Sequence, residues 1–111
     1  MQAAPSSIDI KLRWPQPSGI TVHSVGPRRT LLLWIDGDEV RAYCNLCRHL
    51  PIPLAGGTGQ LDRLQCSTHG AIYDPRSGEC TRGPCVGRRL HPLEAALDGD
   101  GLRIRGCWPP D

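Results

Sequence analysis

The 111-residue sequence predicts an all-β fold: an antiparallel β-sandwich of short strands with a loop-rich subdomain at one end. Three observations predict it. Apolar and polar residues alternate with a period of two in short stretches, and no stretch carries the 3.6-residue period of an amphipathic helix. In addition, 13 Gly and 11 Pro punctuate the chain densely. At this length the chain is expected to form one domain, 1–111, near the size at which a bound metal contributes noticeably to folding.

Residues 1–7 are expected to be a flexible tail. From 8 to 14, Ile8, Ile10, Leu12 and Trp14 alternate with Asp9, Lys11 and Arg13, the pattern of a half-buried strand. Residues 20–25 repeat it. Residues 30–35 are apolar throughout but for Thr30, as a central strand would be. Asp36-Gly37-Asp38 then turns the chain into a strand over 39–43. The segment 44–87 is rich in Gly, Pro and polar residues and is read as a functional insertion on this sheet. A strand over 89–94, a link through Leu97, the turn Asp98-Gly99-Asp100-Gly101 and a strand over 102–106 close the fold, and 107–111 is a proline-bearing tail.

Composition excludes several function classes. A net charge of +2 with no block of five like charges argues against nucleic acid as a partner. The longest wholly apolar run, Leu31 to Ile35, is far short of the roughly 20 residues of a membrane helix, so no membrane association is expected. The first residues lack the basic start and apolar stretch of a signal peptide, and a cytoplasmic location is expected. Six cysteines in a secreted chain would suggest three disulfides, but a reducing compartment and ligand-like spacing favour metal binding for two of them.

The most informative residues are Cys47-Arg48-His49 and Cys66-Ser67-Thr68-His69-Gly70, 16 residues apart. Zinc fingers group like ligands, two Cys on a hairpin and two His on a helix, around one ion. Here each string mixes one thiolate with one imidazole. Such a pair of loops suits a [2Fe-2S] centre in which Cys47 and Cys66 hold one iron and His49 and His69 the other.

With these ligands and their neighbours, the chain resembles the Rieske family. His49-Leu50 with Pro53-Leu54 is similar to the family's first cluster loop, and His69-Gly70 with Tyr73-Asp74 to its second. Gly78 and Gly83-Pro84 are similar to the turn and proline loop that cover the cluster, and the likeness runs from Tyr43 to Gly106. The resemblance implies a Rieske-type β-sandwich with a cluster-binding loop subdomain. It also implies outer imidazole nitrogens of His49 and His69 that lie near solvent and couple electron uptake to a proton at high pH. With all four ligands in use, substrate has no open iron site. The expected role is therefore a one-electron carrier and not an enzyme, a ferredoxin-like donor passing electrons from a flavin reductase to a terminal oxygenase or other redox enzyme. The alternative within the family is a small Rieske subunit of a reductase complex, similar to that of assimilatory nitrite reductase.

Departures from the family bear on the potential. High-potential respiratory members join the two loops by a disulfide at the positions that here hold Ile52 and Thr68, and carry a Ser where this chain has Ala71. Tyr73 stands where those members bond a ligand sulfur. Pro51 replaces a frequent Gly and has no amide to donate. A potential in the lower half of the range of roughly −150 to +300 mV follows for this centre.

The rival from outside the family is a zinc module. Cys44, Cys47, Cys66 and His69 form C-x2-C-x18-C-x2-H, within zinc-ribbon spacing, but this set leaves His49 unused. Cys44, Cys80, Cys85 and Cys107 are read as small buried hydrophobes, with a Cys80–Cys85 disulfide or redox-sensitive pair as the alternative. His23 and His91 are read as structural, and Arg28-Arg29 and Arg88-Arg89 as solvated charge. Arg48, between two ligands, is the residue placed to steer an acidic partner.

Overall fold

The computed structural model describes residues 7–48, 54, 61, 63–66 and 70–109. Within them lie nine strands: β1 Ser7–Arg13, β2 Gly19–Gly26, β3 Arg29–Asp36, β4 Glu39–Cys44, β5 Leu64–Gln65, β6 Ile72–Tyr73, β7 Cys80–Arg82, β8 Pro92–Asp98 and β9 Gly101–Cys107. Six form an antiparallel sheet in the order β1-β9-β8-β4-β3-β2, and three form a small sheet in the order β5-β6-β7. Among the described residues no helix is long and apolar enough to cross a membrane.

The alternating stretches become strands because each has one face to bury. In β3, Leu31, Leu33 and Ile35 enter one core with Ile8 of β1, Leu93 of β8, and Leu102 and Ile104 of β9. The large sheet therefore curls so that its β1-β9-β8 half packs on β3 and β4, giving the sandwich. Leu32 and Trp34 of β3, with Tyr43 of β4 and Ile20 of β2, point the other way into a second core beneath the insertion. The apolar run of β3 has this cause, since it is buried on both faces. The β3–β4 turn pairs Asp36 with Glu39 and places Gly37 at φ 63°, a conformation glycine adopts without steric cost.

The second core is what positions the site. Its upper wall is the insertion, contributing Cys47, Leu54, Leu64, Cys66, Ala71, Tyr73, Cys80, Cys85 and Leu90. Hydrogen bonds fasten this wall to the large sheet: Tyr43 Oη donates to Pro75 O at 2.7 Å, Trp34 Nε1 to Leu61 O at 2.9 Å and Arg41 Nε to Arg76 O at 3.3 Å. Arg76 returns the contact, pairing with Glu39 and Asp36 and lying 5.1 Å over the Trp34 ring.

Several expectations are corrected. The insertion is not only loop, because it contains β5, β6 and β7. The last hairpin is one continuous pair, with Leu97 opposite Leu102 in β8 and β9, rather than two strands and a link. Its first strand begins at Pro92, not Arg89. Proline is tolerated at a strand's first position because its missing amide takes no ladder bond there, while Arg89 belongs to the insertion through a bridge to Glu79. Cys107 is the last residue of β9 and is exposed, so it is neither tail nor core. Ser7 opens β1; the rest of the expected tail lies outside the described residues.

Candidate metal centre

The first ligand loop leaves β4 at Cys44. Asn45, the one buried polar or charged residue among those described, fixes its course. Asn45 N donates to Thr30 O at 3.0 Å, its Nδ2 donates to Thr30 Oγ1 at 3.0 Å, and its Oδ1 accepts from Leu54 N at 2.9 Å. One side chain thus ties the start of the loop to β3 and to a residue beyond the ligand string. Between these anchors Cys47 turns inward, 3 % exposed. His49, Pro51 and Ile52 lie outside the described residues.

The second ligand loop joins β5 to β6. Cys66 N donates to Ala71 O at 2.8 Å and Gly70 N to Cys66 O at 3.0 Å, a tight return that needs Gly70 at φ 72°. The Cys66 and Ala71 side chains are fully buried. Thr68 and His69 lie outside the described residues.

The third side is the segment from β7 through Gly83, Pro84 and Cys85. Gly83 has φ 101°, and a Cβ there would stand 2.9 Å from Ala71 Cα. Only glycine lets the proline loop lie this close against the second ligand loop. Gly78 allows a similar approach on the β6–β7 turn, where a Cβ would meet the Tyr43 ring at 2.8 Å.

Tyr73, on β6, joins all three sides. Its hydroxyl accepts from Arg48 N at 2.8 Å and lies 3.3 Å from Cys47 Sγ and 3.0 Å from Cys85 Sγ. Burial pushes its pKa far up, with the bonds to Cys47 and Cys85 adding to the rise and the Arg48 amide opposing it. The phenol therefore keeps its proton and can donate it to a sulfur. Cys85 Sγ is 3.0 Å from Cys80 Sγ, and Cys80 Sγ donates to Arg82 O at 3.2 Å. Burial also raises the Cys80 pKa, helped by its bond with Cys85.

Cys47 and Cys66 thus share one buried cluster, whereas Cys44 does not join them. Its side chain lies in the other core, with Sγ 3.9 Å from Cys107 O, and burial pushes its pKa up to about 11. Cys80 and Cys85 are buried as expected and no disulfide joins any of the six cysteines. Arg48 keeps its charge while one guanidinium nitrogen donates to Arg89 O at 2.8 Å and its carbonyl accepts from Arg88 at 3.3 Å. The expected solvated pairs are also engaged, Arg89 with Glu79 at 2.7 Å and Arg29 over the Trp108 ring at 5.5 Å.

Sequence reasoning missed Asn45 and the thiol–phenol chain from Cys47 to Cys80. A polar residue two positions before a C-x-H string was the available sign for Asn45. The thiol chain has none, since its members come from separate loops.

The donor set fits a [2Fe-2S] cluster. Two thiols of the type that binds iron as thiolate, Cys47 and Cys66, are sequestered from water in one apolar cluster, and a protonated phenol stands beside one of them. Comparison with known proteins leads to the same family. No curated protein matches the chain. Among solved structures it is similar to the ferredoxin of carbazole 1,9a-dioxygenase from Nocardioides aromaticivorans IC177, at 26% identity and TM-score 0.67, covering 92% of this chain and 97% of that one. It also matches a chain of the complex of reduced oxygenase and oxidized ferredoxin in carbazole 1,9a-dioxygenase, at 24% identity and TM-score 0.72 over 94% and 98% of the two chains. Naphthalene 1,2-dioxygenase with indole bound matches at 19% identity and TM-score 0.66, over 91% of this chain but only 27% of the dioxygenase chain. The model of the Rieske [2Fe-2S] domain matches residues 12–97, spanning both ligand strings and the proline loop, and the chain therefore belongs to the Rieske [2Fe-2S] family.

Proposed function

We propose that this protein is a one-electron carrier, a Rieske-type ferredoxin that takes electrons from a flavin reductase and passes them to a terminal oxygenase or another redox enzyme in the cytoplasm. Cys47 and Cys66 hold one iron of its single [2Fe-2S] cluster and His49 and His69 the other, within an insertion, 44–87, on a single domain. When bound, the cluster supplies a site that accepts and releases one electron at a time. The chain's own residues tune and protect it. Leu54, Leu64, Ala71 and Leu90 exclude water from the two cysteines. Tyr73, held by the Arg48 amide, offers a hydrogen bond to Cys47 Sγ, which stabilises added negative charge and raises the potential.

The observation that carries the proposal is the likeness to the carbazole 1,9a-dioxygenase ferredoxin from end to end of both chains. In the oxygenases it resembles, the matching part is under a third of the chain. The likeness is thus to a whole carrier and to one part of the oxygenases. The zinc reading is weakened by Cys44, whose thiol occupies the core on the opposite face of the sheet from Cys47 and Cys66.

Metal analysis with electron paramagnetic resonance on dithionite-reduced protein tests the proposal. Two irons per chain with the low-average-g spectrum of a Rieske centre are expected. One zinc and a silent spectrum would overturn it.

A further inference from the structure

Cys80 and Cys85 take no part in holding the cluster, yet they are the only described cysteines with their sulfurs in mutual contact, 3.0 Å apart. A disulfide bond is about 2.05 Å, so closure needs a movement of about 1 Å within the loop that Gly83 already bends. Cys80 lines a surface cleft of about 230 Å³ together with Glu79, Gly87, Arg88 and Arg89. Two guanidiniums against one carboxylate leave this cleft cationic. On the inner side, Cys85 Sγ touches Tyr73 Oη, which touches Cys47 Sγ.

We propose that Cys80 and Cys85 form a thiol-exchange site for small anionic disulfides, and that Tyr73 transmits its state to Cys47. In the exchange, the Cys80 thiolate attacks the incoming disulfide, forming a mixed disulfide and releasing one thiolate. Cys85, losing its proton, then attacks Cys80 Sγ and expels the second. Two protein thiols are oxidised to one disulfide, the small disulfide is reduced to two thiols, and the two protons pass to those products. Cys80 is the residue that attacks because it borders the cleft.

Transmission follows from counting hydrogens. A phenol has one to donate, and a Cys47 thiolate can only accept. In the dithiol state Cys80 S–H is given to Arg82 O and Cys85 S–H to Cys80 Sγ, so Cys85 Sγ meets Tyr73 Oη as an acceptor and competes with Cys47 for the one phenol proton. A disulfide has no hydrogen. The Cys85 sulfur, no longer polarised by donating, accepts more weakly, so the Tyr73 proton is left to Cys47, that bond strengthens, and the midpoint potential rises. This second half rests on Cys47 being a cluster ligand, as proposed above.

The test treats the intact holoprotein with excess oxidised glutathione and maps thiols by alkylation and mass spectrometry, with a redox titration on the same sample. A Cys80–Cys85 disulfide is expected, with a raised midpoint potential that dithiothreitol reverses. Cys80→Ala and Cys85→Ser should each abolish the disulfide and the shift, whereas Tyr73→Phe should keep the disulfide and lose the shift. If Cys80 and Cys85 stay reduced while Cys107 alone is modified, the exchange site is refuted. A mapped disulfide with an unmoved potential refutes the transmission through Tyr73. Protein that holds no iron refutes the carrier reading, and the thiol map then still decides the exchange site.

Discussion

Asn45 Oδ1 accepts a hydrogen bond from Leu54 N at 2.9 Å, joining the two ends of the first ligand loop. Leu54 is itself buried, so removing the acceptor strands an amide away from water. Asn45→Ala is expected to cost about 1–3 kcal/mol, lowering the melting temperature of the holoprotein by roughly 4 °C or more for each kcal/mol. Iron content per chain should fall with it, because the loop's path past Cys47 is no longer fixed. Wild-type melting and iron content in this variant would show that the bond does not organise the loop.

Tyr73 stands 3.3 Å from Cys47 Sγ, and its removal by Tyr73→Phe keeps the ring in the core while deleting the proton donor. A hydrogen bond to a charged acceptor is worth about 1.5–3 kcal/mol, and 1.4 kcal/mol corresponds to about 59 mV for one electron. The variant should have a midpoint potential lower by up to on the order of 100 mV. The wild type itself is expected in the lower half of roughly −150 to +300 mV, since fully buried Ala71 has no hydroxyl to offer. A wild-type potential above about +200 mV, or a Tyr73→Phe potential equal to it, would contradict this account of the sulfur bonds.

The contrast between β3 and the insertion shows what the sequence makes legible. Five successive apolar residues, Leu31 to Ile35, announce a strand with two buried faces because burial acts on each residue locally. The hairpins at Gly37 and Gly99 are equally plain, each with a glycine at positive φ. By contrast β5 and β6 are two residues each, too short to express any period, and exist because Leu64 pairs with Tyr73 and Gln65 with Ile72. Spacing singles out Cys47 and Cys66, which the fold brings into one buried cluster. That Cys44, three residues before Cys47, faces the opposite core depends on where β4 ends, and the contact of Tyr73 with Cys85 depends on three loops meeting. Neither is written in any local pattern.

Gly83→Ala tests the packing of the proline loop. The substitution places a Cβ 2.9 Å from Ala71 Cα and forces an L-residue to hold φ near 101°, a strain of about 1–3 kcal/mol before any clash. Melting should drop, and the visible absorption of the cluster should bleach faster in air as the loop lifts from Cys66 and Ala71. Gly87→Ala is the control, since φ is 96° there but a Cβ meets nothing within 4 Å. It should carry the strain alone. Equal loss in both variants would remove the close approach as a cause.

Cys44 separates the cluster from the zinc alternative. Its thiol is buried, its pKa is pushed up to about 11, and it packs with Leu31 and Leu93 in the lower core. Alkylation of native protein with iodoacetamide at pH 8 should therefore label exposed Cys107 and spare Cys44. Cys44→Ala should retain two irons and the paramagnetic signal with only a modest loss of stability. Loss of all metal in a Cys44→Ala protein that still folds, shown by its circular dichroism, would place Cys44 among the ligands.

His91 makes the fold sensitive to acid. Burial holds its pKa below the ordinary histidine value, and the nearby Arg48 charge lowers it further; burial does the same to His23. A histidine that protonates less readily folded than unfolded binds fewer protons in the native state, so stability rises with pH across the window between the two values. The contribution is complete above about pH 6.5, the unperturbed value, and is lost as pH falls below it toward the native pKa. Melting temperature should thus decline from pH 7 to pH 5. In His91→Gln, which has no imidazole to charge at that position, the decline should be shallower. Parallel pH profiles for the two proteins would show that His91 titrates alike in the folded and unfolded chains and has no part in the acid response.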